Sequence, residues 1–234
     1  MQQLFWLERW QLNQIGFHNA DINPHLKENW SLLELPAKSQ IFVPFCGKSQ
    51  DLLWLRQQGH QVIAVELSPI AANAFFAENQ LPFHKTKSGE FELFETDAIQ
   101  IYCGDFFHFP ADFLTGIQAV YDRASLVALP ADMRIKYVKK MQEILPLDTR
   151  ILLVTFVYPQ NEMQGPPFSV DQTDVSLLFG EWCNVTHLYS EDIVDKEPRF
   201  KEKGLSVLHE DVYLLTVKEE TSFVIQDALV KSLD

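Results

Sequence analysis

The segment QIFVPFCGKSQDLLWLRQQGHQVIAVEL, residues 40–67, decides how this chain folds. It opens on QIFVPF (40–45), a short apolar run that reads as a strand buried in a sheet. Residues 48–58 read as the helix that follows, and Gly59 is a good helix stop. QVIAVEL (61–67) is the next strand. Ser68-Pro69 then opens a helix that runs to about Asn79, with Ser as N-cap and Pro as the first helical residue. A β-α-β-α run of this kind predicts a parallel sheet covered by helices.

Outward from this segment the same logic continues. Upstream, residues 5–14 suit a helix, with Phe5, Trp6, Trp10 and Ile15 loosely on one side, and a second helix starts near Pro24 and runs through residues 25–33. Downstream, residues 91–94 form a short hairpin strand, 99–103 a third sheet strand and 119–122 a fourth. Residues 130–145 form a helix with Met133, Tyr137, Val138 and Met141 on its apolar side. RILLVTFVY (150–158) is apolar almost throughout, as a central strand covered on both faces should be. Residues 184–189 and 207–217 read as strands with no convincing helix between them, which predicts an antiparallel pair at the sheet edge. The expected fold class is α/β: a mostly parallel sheet with an antiparallel C-terminal edge hairpin, helices on both faces and an N-terminal helical cover. One domain spans residues 1–234, with 1–35 as lid and 219–234 as an extension, a short helix or a mobile tail.

Composition narrows the function. Hydrophobic residues make up 47% of 234, enough for a full core, and the 18 Phe leave aromatic surface for a pocket. A formal net charge of −13 argues against nucleic-acid and membrane partners. Cys46, Cys103 and Cys183 are odd in number and far apart, so neither a disulfide scaffold nor a thiolate zinc site is expected; a reducing cytoplasm fits. The amphipathic start is not a signal peptide, and no run approaches the ~20 apolar residues of a membrane span. The seven His contain no matched ligand pair, so no metal is expected. A monomer is the default.

Four positions at strand ends carry candidate chemistry. Gly47, in Cys46-Gly47-Lys48-Ser49, lacks the upstream glycine of a P-loop and the glycine cluster of a dinucleotide fingerprint; it marks either a ligand-approach turn or an ordinary strand-to-helix turn. Glu66 ends the second strand about 20 residues later, where an acid accepts from both hydroxyls of a nucleoside ribose, or merely precedes a helix N-terminus. Asp105-Phe106 follows the third strand: an adenine reader with a ring beside it, or plain Gly-Asp turn chemistry. Asp122-Arg123 ends the fourth strand, where Arg123 either holds a carboxylate or an anionic acceptor or pairs with a neighbouring acid.

Trp10, Gly16-Phe17-His18, Phe42-Val43-Pro44-Phe45-Cys46-Gly47-Lys48, Gly59-His60, Val65-Glu66, Tyr121-Asp122-Arg123-Ala124-Ser125-Leu126-Val127-Ala128, Gly165-Pro166-Pro167-Phe168 and Tyr213-Leu214-Leu215-Thr216 occur together in order. On these motifs the chain resembles the thiopurine S-methyltransferase family from about Leu4 to Lys218. The resemblance implies a Rossmann-like class I methyltransferase fold holding S-adenosylmethionine, with an N-terminal segment over the site. It places Trp10, Phe45, Glu66, Asp105, Phe106 and Arg123 at the cofactor, and Phe17, Phe168 and Arg199 on the acceptor side. Phe45 departs from the Leu of many members and keeps the apolar character.

The implied reaction is in-line methyl transfer to sulfur on a thiopurine or another aromatic thiol, or to selenium or tellurium species. Arg123 or Arg199 favours the thiolate, Asp122 orients Arg123, and no general base is assigned. Three other readings stand beside this one. The first is the same fold with a different small-molecule acceptor. The second is a nucleoside-binding module without chemistry. The third is an enzyme with Cys46 as nucleophile.

Overall fold

The structure, a computed structural model, describes residues 3–219. Its elements, in chain order, are α1 (Gln3–Gln11), α2 (Pro24–Asn29), β1 (Gln40–Val43), α3 (Asp51–Gln57), β2 (Gln61–Glu66), α4 (Pro69–Glu78), β3 (His84–Ser88), β4 (Phe91–Thr96), β5 (Ile99–Cys103), β6 (Ile117–Arg123), α5 (Ala131–Ile144), β7 (Arg150–Val157), α6 (Gln172–Phe179), β8 (Cys183–Asp192), α7 (Pro198–Glu202) and β9 (His209–Val217). The strands form one sheet in the order β3-β4-β5-β2-β1-β6-β7-β9-β8. Its centre, β5-β2-β1-β6-β7, is parallel. Both margins are antiparallel: β4 and β3 beyond β5, β9 and β8 beyond β7.

The parallel centre forms because its strands are apolar on both faces and alternate residues serve different layers. Phe42, Ile63, Val65, Val120, Ile151 and Leu153 face the layer holding Tyr137, Met141, Val175 and Phe179 of α5 and α6. Ile41, Val62, Ala64, Ala119, Tyr121 and Leu152 face Leu26, Leu52, Leu55 and Phe75 of α2, α3 and α4. Helix starts follow local chemistry. The Ser68 hydroxyl accepts from the Ala71 N–H at 3.4 Å ahead of Pro69, and Asn23 caps α2 in the same way before Pro24.

The expected plan, a parallel sheet with a C-terminal antiparallel pair, describes this molecule, and five local expectations need correction. The strand at 91–94 is longer and joins the sheet. Its partner β3 (HKTKS) was not expected, because its side chains are mostly exposed and give no apolar signal. Helix α6 was also missed; it buries only Val175 and Phe179. A five-residue helix, α7, lies between the last two strands, where none was expected. The N-terminal cover is shorter than residues 1–35, because Leu26, Trp30 and Leu33 are core residues. The expected extension lies, from residue 220 on, outside the described residues. Among those residues no helix is long and apolar enough to cross a membrane.

Candidate functional site

The carboxyl ends of β1, β2, β5, β6 and β7 open into one cavity of about 520 Å3, roofed by α1 and the loop that follows it. This is where a parallel sheet binds ligands, because strand order reverses at β1 and the loops diverge there. The backbone at this crest is held in unusual conformations. Phe45 (φ 46°) and Ala124 (φ 64°) are left-handed without being glycine, and Gly47 (φ 55°) joins them. Each such non-glycine residue costs of order 1–2 kcal/mol, which the surrounding packing sustains. At Gly47 a Cβ would stand 3.3 Å from the Trp10 ring, so the indole lies directly on the turn.

Glu66 ends β2 with both carboxylate oxygens engaged: Oε2 accepts the Gly47 N–H at 2.8 Å and Oε1 the Ser68 N–H at 2.7 Å. It is buried, and burial raises its pKa to about 7 against the pull of those backbone donors. Asp105 caps the turn after β5, taking the Phe107 N–H on Oδ1 at 3.0 Å. Its Oδ2 accepts from the Gln3 side chain at 2.6 Å, which ties α1 to the rim. Gly104 is required there, since a Cβ would come 2.5 Å from the Phe91 ring. Phe106 contributes to the cavity wall but sinks into the core against Phe45 and Tyr137, and the half-buried Phe107 beside it also lines the cavity.

Arg123 ends β6 and lines the cavity; its Nε is buried with no hydrogen-bond partner, and it makes no ion pair among the described residues. Asp122 does not orient it. Consecutive strand residues face opposite sides, so Asp122 points into the α5 layer, accepts the Tyr137 hydroxyl at 2.6 Å and does not line the cavity. Burial pushes its pKa up to about 6. Arg199, from α7, reaches the cavity with its Nε 2.9 Å from Glu197 and its guanidinium over the Phe200 ring. Phe17 is held edge-on between Trp6 and Trp10. Phe168, like Asp122, does not line the cavity, and its ring packs over Gly165 while Gly165, Pro166 and Pro167 form the wall.

Of the ten site positions read from sequence, the cavity gathers eight, Trp10, Phe17, Phe45, Glu66, Asp105, Phe106, Arg123 and Arg199, and leaves out Asp122 and Phe168. Sequence reasoning missed Asp51, whose buried carboxylate accepts the Asn23 N–H and the Tyr121 hydroxyl, and Glu210 at the start of β9. Two acids opening an otherwise apolar strand, Glu210-Asp211, were the available signal. Burial and the nearby Glu66 push the Cys46 thiol well above the ordinary range, which opposes the nucleophile reading. Among the described residues no cluster of His, Cys, Asp and Glu could hold a metal ion.

Comparison with known proteins bears on the family and the fold. Residues 1–218 match the profile of the family described as thiopurine S-methyltransferase. The thiopurine S-methyltransferase of Nitrosospira multiformis is 44% identical over 218 residues, 93% of this chain and 99% of that protein. That of Xanthomonas axonopodis pv. citri is 47% identical over 215 residues, 92% and 99% respectively. In structure the chain is similar to Burkholderia thailandensis 1,6-didemethyltoxoflavin-N1-methyltransferase, solved with S-adenosylhomocysteine. The TM-score is 0.59 at 16% identity, over 93% of this chain and 87% of the other, a likeness of fold.

Proposed function

Because the chain belongs to the thiopurine S-methyltransferase family and is an S-adenosylmethionine-dependent methyltransferase, we propose that its acceptor is the sulfur of a small aromatic or heteroaromatic thiol. Selenium or tellurium species are a second acceptor class of the same soft, polarisable kind. The observation that carries the reading is Arg123: a guanidinium whose Nε is buried and unpartnered, facing a cavity walled by Phe17, Phe156 and Pro166. Flat apolar walls suit an aromatic ring, and a nearby cation favours negative charge on the acceptor sulfur, whether a thiolate or the polarised sulfur of a thione.

The cavity residues fit the cofactor. Gly47 lets a ligand approach the backbone, Glu66 offers carboxylate oxygens at the end of β2, and Arg123 is short of an acceptor. In this reading Glu66 holds the ribose hydroxyls, Asp105 with Phe106 and Phe107 borders the adenine, and Trp10 and Phe45 pack on the remaining surface. When bound, S-adenosylmethionine supplies a methyl group already activated on a sulfonium. The protein's own part is alignment and exclusion of water: Trp10 and Phe17 cover the cavity, and Arg123 and Arg199 steady negative charge on the acceptor. Asp122 acts from the opposite face by fixing Tyr137 behind the strand.

Transfer of labelled methyl from S-adenosylmethionine to a panel of aryl thiols, heteroaryl thiols, selenols and matched phenols tests the proposal. Label in the thioethers and not in the aryl ethers is expected. Preferential labelling of the phenols would overturn the acceptor class.

A further inference from the structure

Glu210 is a buried carboxylate that lines the cavity and that the proposed reaction does not use. A chain of hydrogen bonds behind it sets its polarity. The Asn29 amide donates to the Tyr189 hydroxyl oxygen at 2.8 Å. The Tyr189 O–H is then free to donate, and its neighbour at 2.9 Å is His25 Nδ1. With Nδ1 accepting, the ring proton sits on Nε2, which lies 2.8 Å from Glu210 Oε2. His25, Asn29 and Glu210 are all buried, which shields this chain of hydrogen bonds from water. Glu191 approaches the same Nε2 at 3.6 Å, and it is itself engaged by Lys196. Among the described residues no donor reaches Glu210 Oε1. The chain thus presents an acceptor oxygen to the cavity.

Its place in the sheet says what it meets. β9 lies beside β7, four strand spacings from β2 and two from β6. At ~4.8 Å per spacing that is roughly 19 Å from the Glu66 strand and roughly 10 Å from the Arg123 strand. Glu210 therefore belongs to the acceptor end. That end is bipolar: Arg123, Arg199 and Lys203 supply positive charge and Glu210 supplies an acceptor. In its neutral thione form a cyclic thioamide has the matching pattern, a sulfur that carries partial negative charge and attracts cations and donors next to a ring N–H that donates.

We propose that Glu210 is a specificity-determining residue, its Oε1 accepting a hydrogen bond from a ring N–H adjacent to the reacting sulfur, so that the site selects nitrogen-heteroaromatic thiols over plain arene thiols. The inference rests on the thiol reading of the site and narrows it.

Pyridine-2-thione and benzenethiol differ at that position and little in shape. The decisive variant is Glu210→Gln. His25 Nε2–H holds the amide oxygen, so the amide NH2 turns to the cavity and opposes the ring N–H. Dissociation constants for both compounds on the full chain with S-adenosylhomocysteine, by calorimetry, and kcat/KM ratios with S-adenosylmethionine are the two readouts. Wild type is expected to prefer pyridine-2-thione at least tenfold, and Glu210→Gln to reduce that preference at least tenfold in both. If Glu210→Gln does not fold, Glu210→Asp, which keeps the charge and withdraws it by one methylene, should show a fall in the same direction. A preference within twofold of wild type in the folded variant overturns the assignment. Wild type methylating both thiols with no preference overturns it too, and leaves the thiol reading standing. Neither binding nor transfer with either compound overturns both.

Discussion

Cofactor affinity should depend on the protonation of Glu66. Its carboxyl has a pKa near 7 because burial outweighs the two backbone donors at 2.8 and 2.7 Å. The ionised form is the stronger acceptor for ribose hydroxyls, so binding favours it. At pH 6 only about one molecule in ten carries the carboxylate. The protonated acid keeps some acceptor capacity, and losing a charge-assisted hydrogen bond costs ~1.5–3 kcal/mol. Together these give roughly a fivefold to tenfold weaker dissociation constant for S-adenosylhomocysteine at pH 6 than at pH 8. Fold stability moves the other way. The native pKa lies above the unfolded value of 4.5, so the folded state holds the proton longer. Stability is therefore highest below pH 4.5 as far as this group is concerned, and falls by up to ~3 kcal/mol as pH rises to about 7. Calorimetric titrations between pH 5.5 and 8.5, with thermal melts of the same samples, separate the two trends. Glu66→Gln should flatten the binding profile. A wild-type dissociation constant constant within twofold across that range, in folded protein, would falsify the ribose role of Glu66.

Three further outcomes follow from the same geometry. Arg123→Lys should lower cofactor affinity or single-turnover methylation well beyond twofold, about 0.4 kcal/mol, while barely moving the melting temperature, since Lys cannot reproduce the planar fork; unchanged values remove Arg123 from the site. Amide hydrogens between Leu4 and Phe17 should exchange more slowly with S-adenosylhomocysteine, because Gln3 is tied to Asp105 and Trp10 lies on Gly47 at the cavity; equal exchange in both states refutes closure. Gly104→Ala should destabilise by ~1–3 kcal/mol, because a Cβ 2.5 Å from the Phe91 ring forces that ring to move, and an unaltered melting curve would contradict the packing.

The legible parts of this molecule were those where one signal dominated. β1, β2 and β7 are apolar on both faces, and α4 carries its Ser68-Pro69 cap, so residues 40–79 and 150–157 read directly. β3 did not, because an exposed edge strand has no burial to impose alternation. α6 did not, because its tertiary contacts rest on two side chains. At the site, Glu66 and Arg123 were visible because strand ends in a parallel sheet are privileged positions. The error over Asp122 came from treating sequence neighbours as spatial neighbours when a strand sends them to opposite faces. Phe168 stands beside the Gly165-Pro166-Pro167 wall in sequence, and its ring turns back over Gly165. Glu210 escaped because its role depends on His25, 185 residues away in the chain.

The position of β9 between β7 and β8 has a consequence for how the molecule is made. β8 is synthesised before β9, yet its ladder partner is β9. Until residues 209–217 arrive, residues 183–192 have no ladder partner, and β7 shows an open edge as well. Local β-α-β pairings around residues 40–103 close over short chain separations and are kinetically favoured; the far margin must wait for a long-range insertion. On these chain separations residues 40–103 are expected to pair before the far margin of the sheet, and Glu210 enters with the strand that completes it. Chains that stop short of β9 carry two adjacent unpaired edges, the template on which partly folded molecules aggregate.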